Sequence, residues 1–429
     1  MSAAIEIQPR TAIHGSIRPP GSKSITNRAL VCAALASGQS TLTGALDSED
    51  TQVMIDCLGR LGIHVSLHDA ATTLVVDGCG GQIPAGDAQL LVRNSGTTIR
   101  FLTAMVTLGQ GTFRLDGIER MRQRPIGDLI EALNGLGGEV RSETGNGCPP
   151  VVVQGHGLRG GRATVRGDIS SQFLSGLLMA APYAQQTVEL AVQGELVSQP
   201  YVHMTLRLME SFGVQVDGKD LSRLRIAGQQ QYWGTNYAIE PDASAASYFW
   251  GAAAVTGGAV TVEGLTRDAL QGDVGFVDCL AKMGCEVTPS NNGIMVRGGS
   301  LHGIDVDMNG ISDTVQTLAA VALFAQGPTT IRGVAHIRHK ETDRIGDLAR
   351  ELRKLGATVD ESADGMRIVP PAQASQLRGA EIDTYNDHRM AMSLALAGLR
   401  IPGVVIRDPG CTAKTYPRFF TDLAAVGGS

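Results

Sequence analysis

The chain has 429 residues, of which 43% are apolar, 18% charged and 4% aromatic, with a formal net charge of −6. That length exceeds what one ordinary core supports and argues for two domains, while the composition is that of a soluble globular protein. The negative balance argues against a nucleic-acid or acidic-membrane partner held by bulk electrostatics.

In chain order, Ala4-Ile5-Glu6-Ile7 reads as a short strand, and SKSITNRALVCAALASG then predicts a helix from Ser22. Its opening Ser has N-cap character, and the Ala-rich run behind it has small or apolar residues over most of its circumference. Such a helix is buried, with only its N-terminal end polar. Next, Leu58-Leu61-Gly62 marks the end of a second helix whose Gly takes the left-handed cap conformation, and Gly62-Ile63-His64-Val65 leads into a strand.

The same pair of signals then repeats. NSGTTIRFLTAMVTLG is followed by Leu133-Leu136-Gly137, DISSQFLSGLLMAAP by Met209-Phe212-Gly213, and DASAASYFWGAAAVTGG by Leu280-Met283-Gly284. SDTVQTLAAVALFAQG is followed by Leu352-Leu355-Gly356, and NDHRMAMSLALAG by Leu423-Val426-Gly427. Val/Ile/Thr-rich strands such as Thr329-Thr330-Ile331-Arg332 run between the two helices of a unit. The chain therefore reads as six strand-and-helix units of about 72 residues. The sixth ends at Ser429 without its following strand, which Ala4–Ile7 would supply. That places the N-terminus in the C-terminal half, with crossings near Pro19-Pro20-Gly21 and Glu240-Pro241-Asp242. The expected domains are residues 1–20 plus 241–429, holding units four to six, and residues 21–240, holding units one to three. A solenoid of stacked repeats fits less well, because the polar helix starts differ from unit to unit.

Helix N-termini aimed at one place make it electropositive and offer free N–H groups to anions. The side chains at these ends add to that: Lys23-Ser24 and Arg28, Asn94-Ser95-Gly96-Thr97, Ser170-Ser171-Gln172, Asp313, and Asp387-His388-Arg389. Taken singly, each Ser or Asp is explained by capping alone. A cation in a first turn opposes the helix dipole, so Lys23 and Arg389 call for a bound anion. Before the second helices stand more cations, in Arg120-Met121-Arg122-Gln123-Arg124-Pro125, in His339-Lys340-Glu341-Thr342-Asp343-Arg344, and at Lys414. Guanidinium groups at a repeated structural phase suit a substrate carrying several phosphates and carboxylates.

The familiar nucleotide and metal signatures fail on spacing. The text near Gly21 misses a P-loop because Gly does not directly precede Lys, and no GxGxxG follows a strand. HExxH and a Gly-x-Ser-x-Gly elbow are absent, and the nine histidines show no metal spacing, so neither metal nor organic cofactor is expected. Seven widely spaced cysteines suggest a reducing compartment. The first residues lack a signal-peptide pattern, and no apolar stretch reaches the roughly 18 residues of a membrane helix. A cytoplasmic location follows as the expectation.

The segments PGSKSITNRAL, NSGTTIR, RPIGDL, GDISSQF, SQPY, HKETDR and NDHRMAM resemble those of the enolpyruvyl transferase family, and they span the chain. The resemblance implies an α/β fold, a two-domain inverse α/β barrel of six repeated strand-and-helix units, three per domain, with the active site in the interdomain cleft. It implies transfer of the enolpyruvyl group of phosphoenolpyruvate to the 5-hydroxyl of shikimate 3-phosphate, with release of phosphate, by a monomer without cofactor.

By the same resemblance, Lys23, Ser24, Arg28, Ser170, Ser171, Gln172, Ser198, Tyr201, Asp313, His336 and Lys340 would meet shikimate 3-phosphate. Arg28 would take its carboxylate and the serines its phosphate. Lys23, Gly96, Arg124, Gln172, Arg344, Arg389 and Lys414 would hold phosphoenolpyruvate. Asp313 would be the base for the 5-hydroxyl, and Glu341 with Lys23 would protonate the phosphoenolpyruvate methylene. Two positions depart from the commonest pattern: Phe101, where Pro or Leu is frequent, and His336, where Asn is often a ligand. Because Gly96 is kept, inhibition by glyphosate is expected.

The sister reaction on UDP-N-acetylglucosamine relies on a loop cysteine, and residues 116–125 here contain none. A non-catalytic relative would be expected to have lost Asp313 or Glu341, and both are present. RNA-end cyclases share repeats of a related kind but need a basic RNA surface.

Overall fold

A computed structural model describes residues 4–218 and 220–427. The chain divides into two compact units, one of residues 1–20 and 240–429, the other of residues 21–239. Among the described residues, twelve α-helices run in chain order: α1 Lys23–Leu35, α2 Glu49–Arg60, α3 Gly96–Met105, α4 Gly127–Gly135, α5 Ser171–Ala180, α6 Gln199–Ser211, α7 Ala243–Thr256, α8 Phe276–Lys282, α9 Val315–Ala322, α10 Gly346–Lys354, α11 His388–Gly398 and α12 Phe419–Ala425.

Odd and even helices differ because their sequences do. The odd ones are built of Ala, Leu, Ser and Thr all round and are buried: every residue of α7, α9 and α11 lies in the interior. The even ones carry one apolar stripe, as in α10, which buries Leu348, Ala349, Glu351 and Leu352 and turns its other side to solvent. After each even helix the chain reverses at a glycine in the left-handed region, from Gly62 (φ 81°) to Gly427 (φ 87°), a conformation a Cβ would disfavour.

Among the described residues the strands form six separate sheets, three in each unit. The second repeat shows the plan. Strand Asp87–Arg93 leads into α3, and Gln110–Gly117 returns parallel beside it. After α4, the hairpin of Glu139–Ser142 and Val151–His156 adds antiparallel strands. Parallel pairing demands a crossover, and the odd helix provides it, which carries that helix's N-terminus to the end of a strand.

At the ends of the repeat series the chain exchanges strands. His14–Ile17 pairs parallel with Ala259–Glu263, and Asn236–Ala238 pairs parallel with Ser37–Thr43. Ala4–Ile7 lies antiparallel on Val404–Arg407, where the other repeats use a hairpin strand. Residues 428 and 429, where the sixth unit was expected to end, lie outside the described residues. Among the described residues, no helix is long and apolar enough to cross a membrane.

Candidate active site

In the unit of residues 21–239, the odd helices begin with side-chain caps. Ser22 Oγ accepts from the Ile25 N–H, Ser95 Oγ from Thr98 N–H, and Ser170 Oγ from Gln172 N–H. This fixes Lys23 as the first residue of α1, Gly96 as that of α3, and Ser171 as that of α5. Arg28, one turn into α1, is 1% exposed. Its Nε donates to Thr205 Oγ1 at 2.7 Å and one Nη to the Ser24 carbonyl at 2.9 Å. The other Nη reaches Ser175 Oγ and the Tyr201 carbonyl, each at 3.3 Å. All four acceptors are neutral. Burial lowers the Arg28 pKa to about 10, with Tyr201 and Cys32 acting the other way. A buried guanidinium held only by neutral groups is matched to an anionic ligand.

Around Gly96 stand two more guanidinium groups. Arg124 donates to the Asn94 carbonyl at 3.1 Å and to its side-chain oxygen at 3.3 Å. Arg100 donates to the Gly96 carbonyl at 3.3 Å and the Pro125 carbonyl at 2.8 Å. A Cβ at Gly96 would lie 2.6 Å from Arg124 Nη2 and 3.2 Å from Arg100 Nη1, so the missing side chain is what lets these cations approach the helix start. Lys23 Nζ lies 3.6 Å from the Asp50 carboxylate, both largely buried. The anion that Lys23 called for in its first turn is thus supplied from within the chain. Ser198 precedes α6 in the left-handed region at φ 53°, and its carbonyl accepts from Tyr201 N–H at 3.1 Å.

The other unit gathers four cations and three carboxylates. Asp313 lies in a 3₁₀ segment, Asn309–Thr314, ahead of α9, and does not cap that helix. Its carboxylate is engaged elsewhere: Oδ1 accepts from Lys340 Nζ at 2.7 Å and from an Arg344 Nη at 3.2 Å, and Oδ2 from Arg389 Nη2 at 2.7 Å. Here too a first-turn cation, Arg389, finds its anion inside the chain. Arg344 also donates to Glu341 Oε2 at 2.9 Å and to both oxygens of Asp387 at 2.7 and 3.2 Å. Lys414 Nζ stands 3.8 Å from Glu341 Oε1.

Asp387 completes this frame by capping α11 through the Arg389 N–H at 2.8 Å. Arg389 reaches the Tyr248 hydroxyl at 3.3 Å. Burial works against the Arg344 charge, but Asp387, Glu341 and Asp313 outweigh it and hold its pKa above the ordinary arginine value. Burial also lowers the Lys340 pKa against the pull of Asp313. His336, 5% exposed, is pushed down to about 3 by burial and by Lys340 and Arg344, with Asp313 opposing. Its ring is neutral at any working pH.

Within one unit the structure groups Ser24, Arg28 and Tyr201, and Gly96 with Arg124; within the other it groups Asp313, Lys340, Glu341, Arg344, Arg389 and Lys414. The sequence patterns placed Asn94 and Asp387 at polar helix starts without a role, and did not single out Asp50, Arg100 or Tyr248 as site residues. Phe101 lies under Arg28, its ring centroid 5.1 Å from the guanidinium carbon. Among the described residues, no group of three or more His, Cys, Asp and Glu side chains is arranged to hold a metal ion.

Comparison with known proteins adds independent findings. The family model described as EPSP synthase (3-phosphoshikimate 1-carboxyvinyltransferase) matches residues 7–423. A 3-phosphoshikimate 1-carboxyvinyltransferase of a Nostoc species is 50% identical over 410 residues, 95% of this chain and 96% of that protein. One from Shewanella denitrificans is 47% identical over 424 residues, 98% of each. The solved structure of the EPSP synthase of Acinetobacter baumannii superposes with a TM-score of 0.82 at 26% identity, covering 99% of this chain and 98% of that one.

Proposed function

The chain belongs to the EPSP synthase family, and from that premise we propose how its residues perform the reaction. It transfers the enolpyruvyl group of phosphoenolpyruvate to shikimate 3-phosphate, in the shikimate pathway leading to aromatic amino acids. The mechanism and the residue roles are our reading.

Shikimate 3-phosphate is held by Ser24, Arg28, Ser170, Ser171, Gln172, Ser198 and Tyr201, with Asp313, His336 and Lys340 at its ring. Arg28 takes the carboxylate. What supports this is its burial among neutral acceptors, which leaves its charge to be balanced by a ligand. Phosphoenolpyruvate is held by Lys23, Gly96, Arg124, Gln172, Arg344, Arg389 and Lys414. Guanidinium forks suit its carboxylate and phosphate.

Attack on an enol phosphate requires a proton delivered to the methylene carbon and another removed from the attacking 5-hydroxyl. Asp313 takes the hydroxyl proton, and Glu341 with Lys23 delivers the one to carbon. The resulting tetrahedral intermediate returns a proton from its new methyl group and expels phosphate, which restores the enol ether. The Asp313 carboxylate is fixed by hydrogen bonds from Lys340, Arg344 and Arg389, which hold its oxygens in place for the hydroxyl proton. This three-cation grip on one carboxylate is the observation that carries the assignment. The residues of both units serve one reaction, and we propose that the protein acts as a cytoplasmic monomer.

The test is phosphate release from phosphoenolpyruvate with shikimate 3-phosphate or UDP-N-acetylglucosamine as acceptor. Release with the first alone supports the reading. Release with the second, or with neither from folded protein, overturns it.

A further inference from the structure

We propose that Glu351, a carboxylate outside the reaction site, is a positioning residue that holds the turn before α11 in the conformation its active residues require. This rests on the reading of Arg344 and Arg389 as phosphoenolpyruvate ligands. Tyr385 and Asn386 both have positive φ, 53° and 54°, and the Asp387 N–H closes onto the Thr384 carbonyl at 2.8 Å. Two successive positive φ angles inside such a bond are those of a type I′ turn, whose central positions belong to Asn, Asp and Gly. A tyrosine there is a steric misfit and persists only where its surroundings hold it.

Glu351 does the holding. It is fully buried on α10, and Oε1 accepts from the Tyr385 hydroxyl at 2.6 Å. Oε2 accepts from the Asp383 N–H at 3.1 Å and pairs with Lys354 at 2.7 Å. One carboxylate thus ties both ends of the segment from Asp383 to Tyr385. Arg350 adds a bond to the same hydroxyl at 3.1 Å and lies 5.7 Å from the ring centroid.

The consequence for the site follows from what lies next along each element. Arg344 stands just ahead of α10, and Asp387 directly follows the turn. The Arg344–Asp387 pair and the Glu351–Tyr385 bond are therefore two rungs between the same two stretches of chain, seven residues apart on one and two on the other. The outer rung sets the φ angles from which the inner one departs. If the turn relaxed to negative φ, the cap of α11 and the direction of Arg389 would change together.

The experiment measures steady-state kinetics and thermal midpoints of three variants of the full chain. Tyr385→Phe keeps the ring and loses the hydroxyl. Its KM for phosphoenolpyruvate is expected to rise about tenfold, the size of one hydrogen bond to a charged group, with the KM for shikimate 3-phosphate within about twofold. Tyr385→Asn takes the left-handed conformation without an anchor, and is expected to restore the phosphoenolpyruvate KM to within about twofold of the parent. Arg389→Lys is the control on the underlying reading and is expected to raise the same KM.

An unchanged KM in Tyr385→Phe, or an equal rise in Tyr385→Asn, overturns the proposal. If Arg389→Lys also leaves the KM unchanged, the ligand reading has failed. If only that control raises it, the positioning role alone has failed. A purely structural role would lower the thermal midpoint in both Tyr385 variants without the selective rescue.

Discussion

The Arg28 guanidinium carbon lies 5.1 Å from the centroid of the Phe101 ring and 5.9 Å from that of Tyr201. Among the described residues Arg28 has no carboxylate partner, and two aromatic rings face it, each offering its negative face. Phe101 therefore belongs with the arginine proposed to bind the shikimate carboxylate. Phe101→Leu removes that support, and a desolvated cation–π contact is worth about 1–2 kcal/mol. The KM for shikimate 3-phosphate should rise about 5- to 30-fold while that for phosphoenolpyruvate stays nearly constant. Equal changes in both constants would contradict the pairing.

At Gly96, alanine would place its Cβ 2.6 Å from Arg124 Nη2. Arg124 is tied to Asn94, so displacing it costs on the order of 1–3 kcal/mol, the range for overpacking. Gly96→Ala should raise the KM for phosphoenolpyruvate about tenfold. The parent protein should be inhibited by glyphosate, and the variant less so. A half-inhibitory concentration for the parent far above its phosphoenolpyruvate KM would contradict this reading of the Gly96 wall.

Asp387 has no exposure and meets Arg344 with both oxygens. Removing it takes from buried Arg344 one of three carboxylates, leaving Glu341 and Asp313, at a cost of up to about 3–5 kcal/mol. Asp387→Ala should lower unfolding stability by that amount in urea titrations. A change under about 1 kcal/mol would show that Glu341 and Asp313 compensate Arg344 without it.

His336 carries a pH signature. Its pKa of about 3 in the folded protein lies below the ordinary value, so folding favours the neutral ring. The stability this represents is intact above about pH 6.5 and is lost as pH falls towards 3, by up to about 1.4 kcal/mol per unit. Between pH 7.5 and 5 the contribution should fall by about 2 kcal/mol, and His336→Asn should remove that part of the slope. Urea unfolding at the two pH values measures it. Identical slopes in parent and variant would contradict the assignment of a buried neutral ring.

The repeat was legible because its signals are local. The Ser22, Ser95, Ser170 and Asp387 caps, the Ala-rich helices and the glycines after the even helices each follow from a residue's own backbone preference. The candidate residues Arg28, Asp313, Glu341 and Arg344 came from the family resemblance, which does not show what they touch. What remained hidden was pairwise and distant in sequence: Arg344 with Asp387 across 43 residues, Lys23 with Asp50, Arg28 with Phe101. Nothing in a lone Asp50 distinguishes it from a first-turn acid favoured by the helix dipole. Asp313 also misled, since it looked like a cap, and its carboxylate serves three cations instead.

The most direct measurement is phosphate release from phosphoenolpyruvate in the presence of shikimate 3-phosphate, by the parent chain and by Asp313→Ala. Release should require shikimate 3-phosphate and fall by about 10²–10⁴ in the variant, the usual contribution of a positioned general base. A variant that retains most of the parent rate would contradict the assignment of Asp313 as the base.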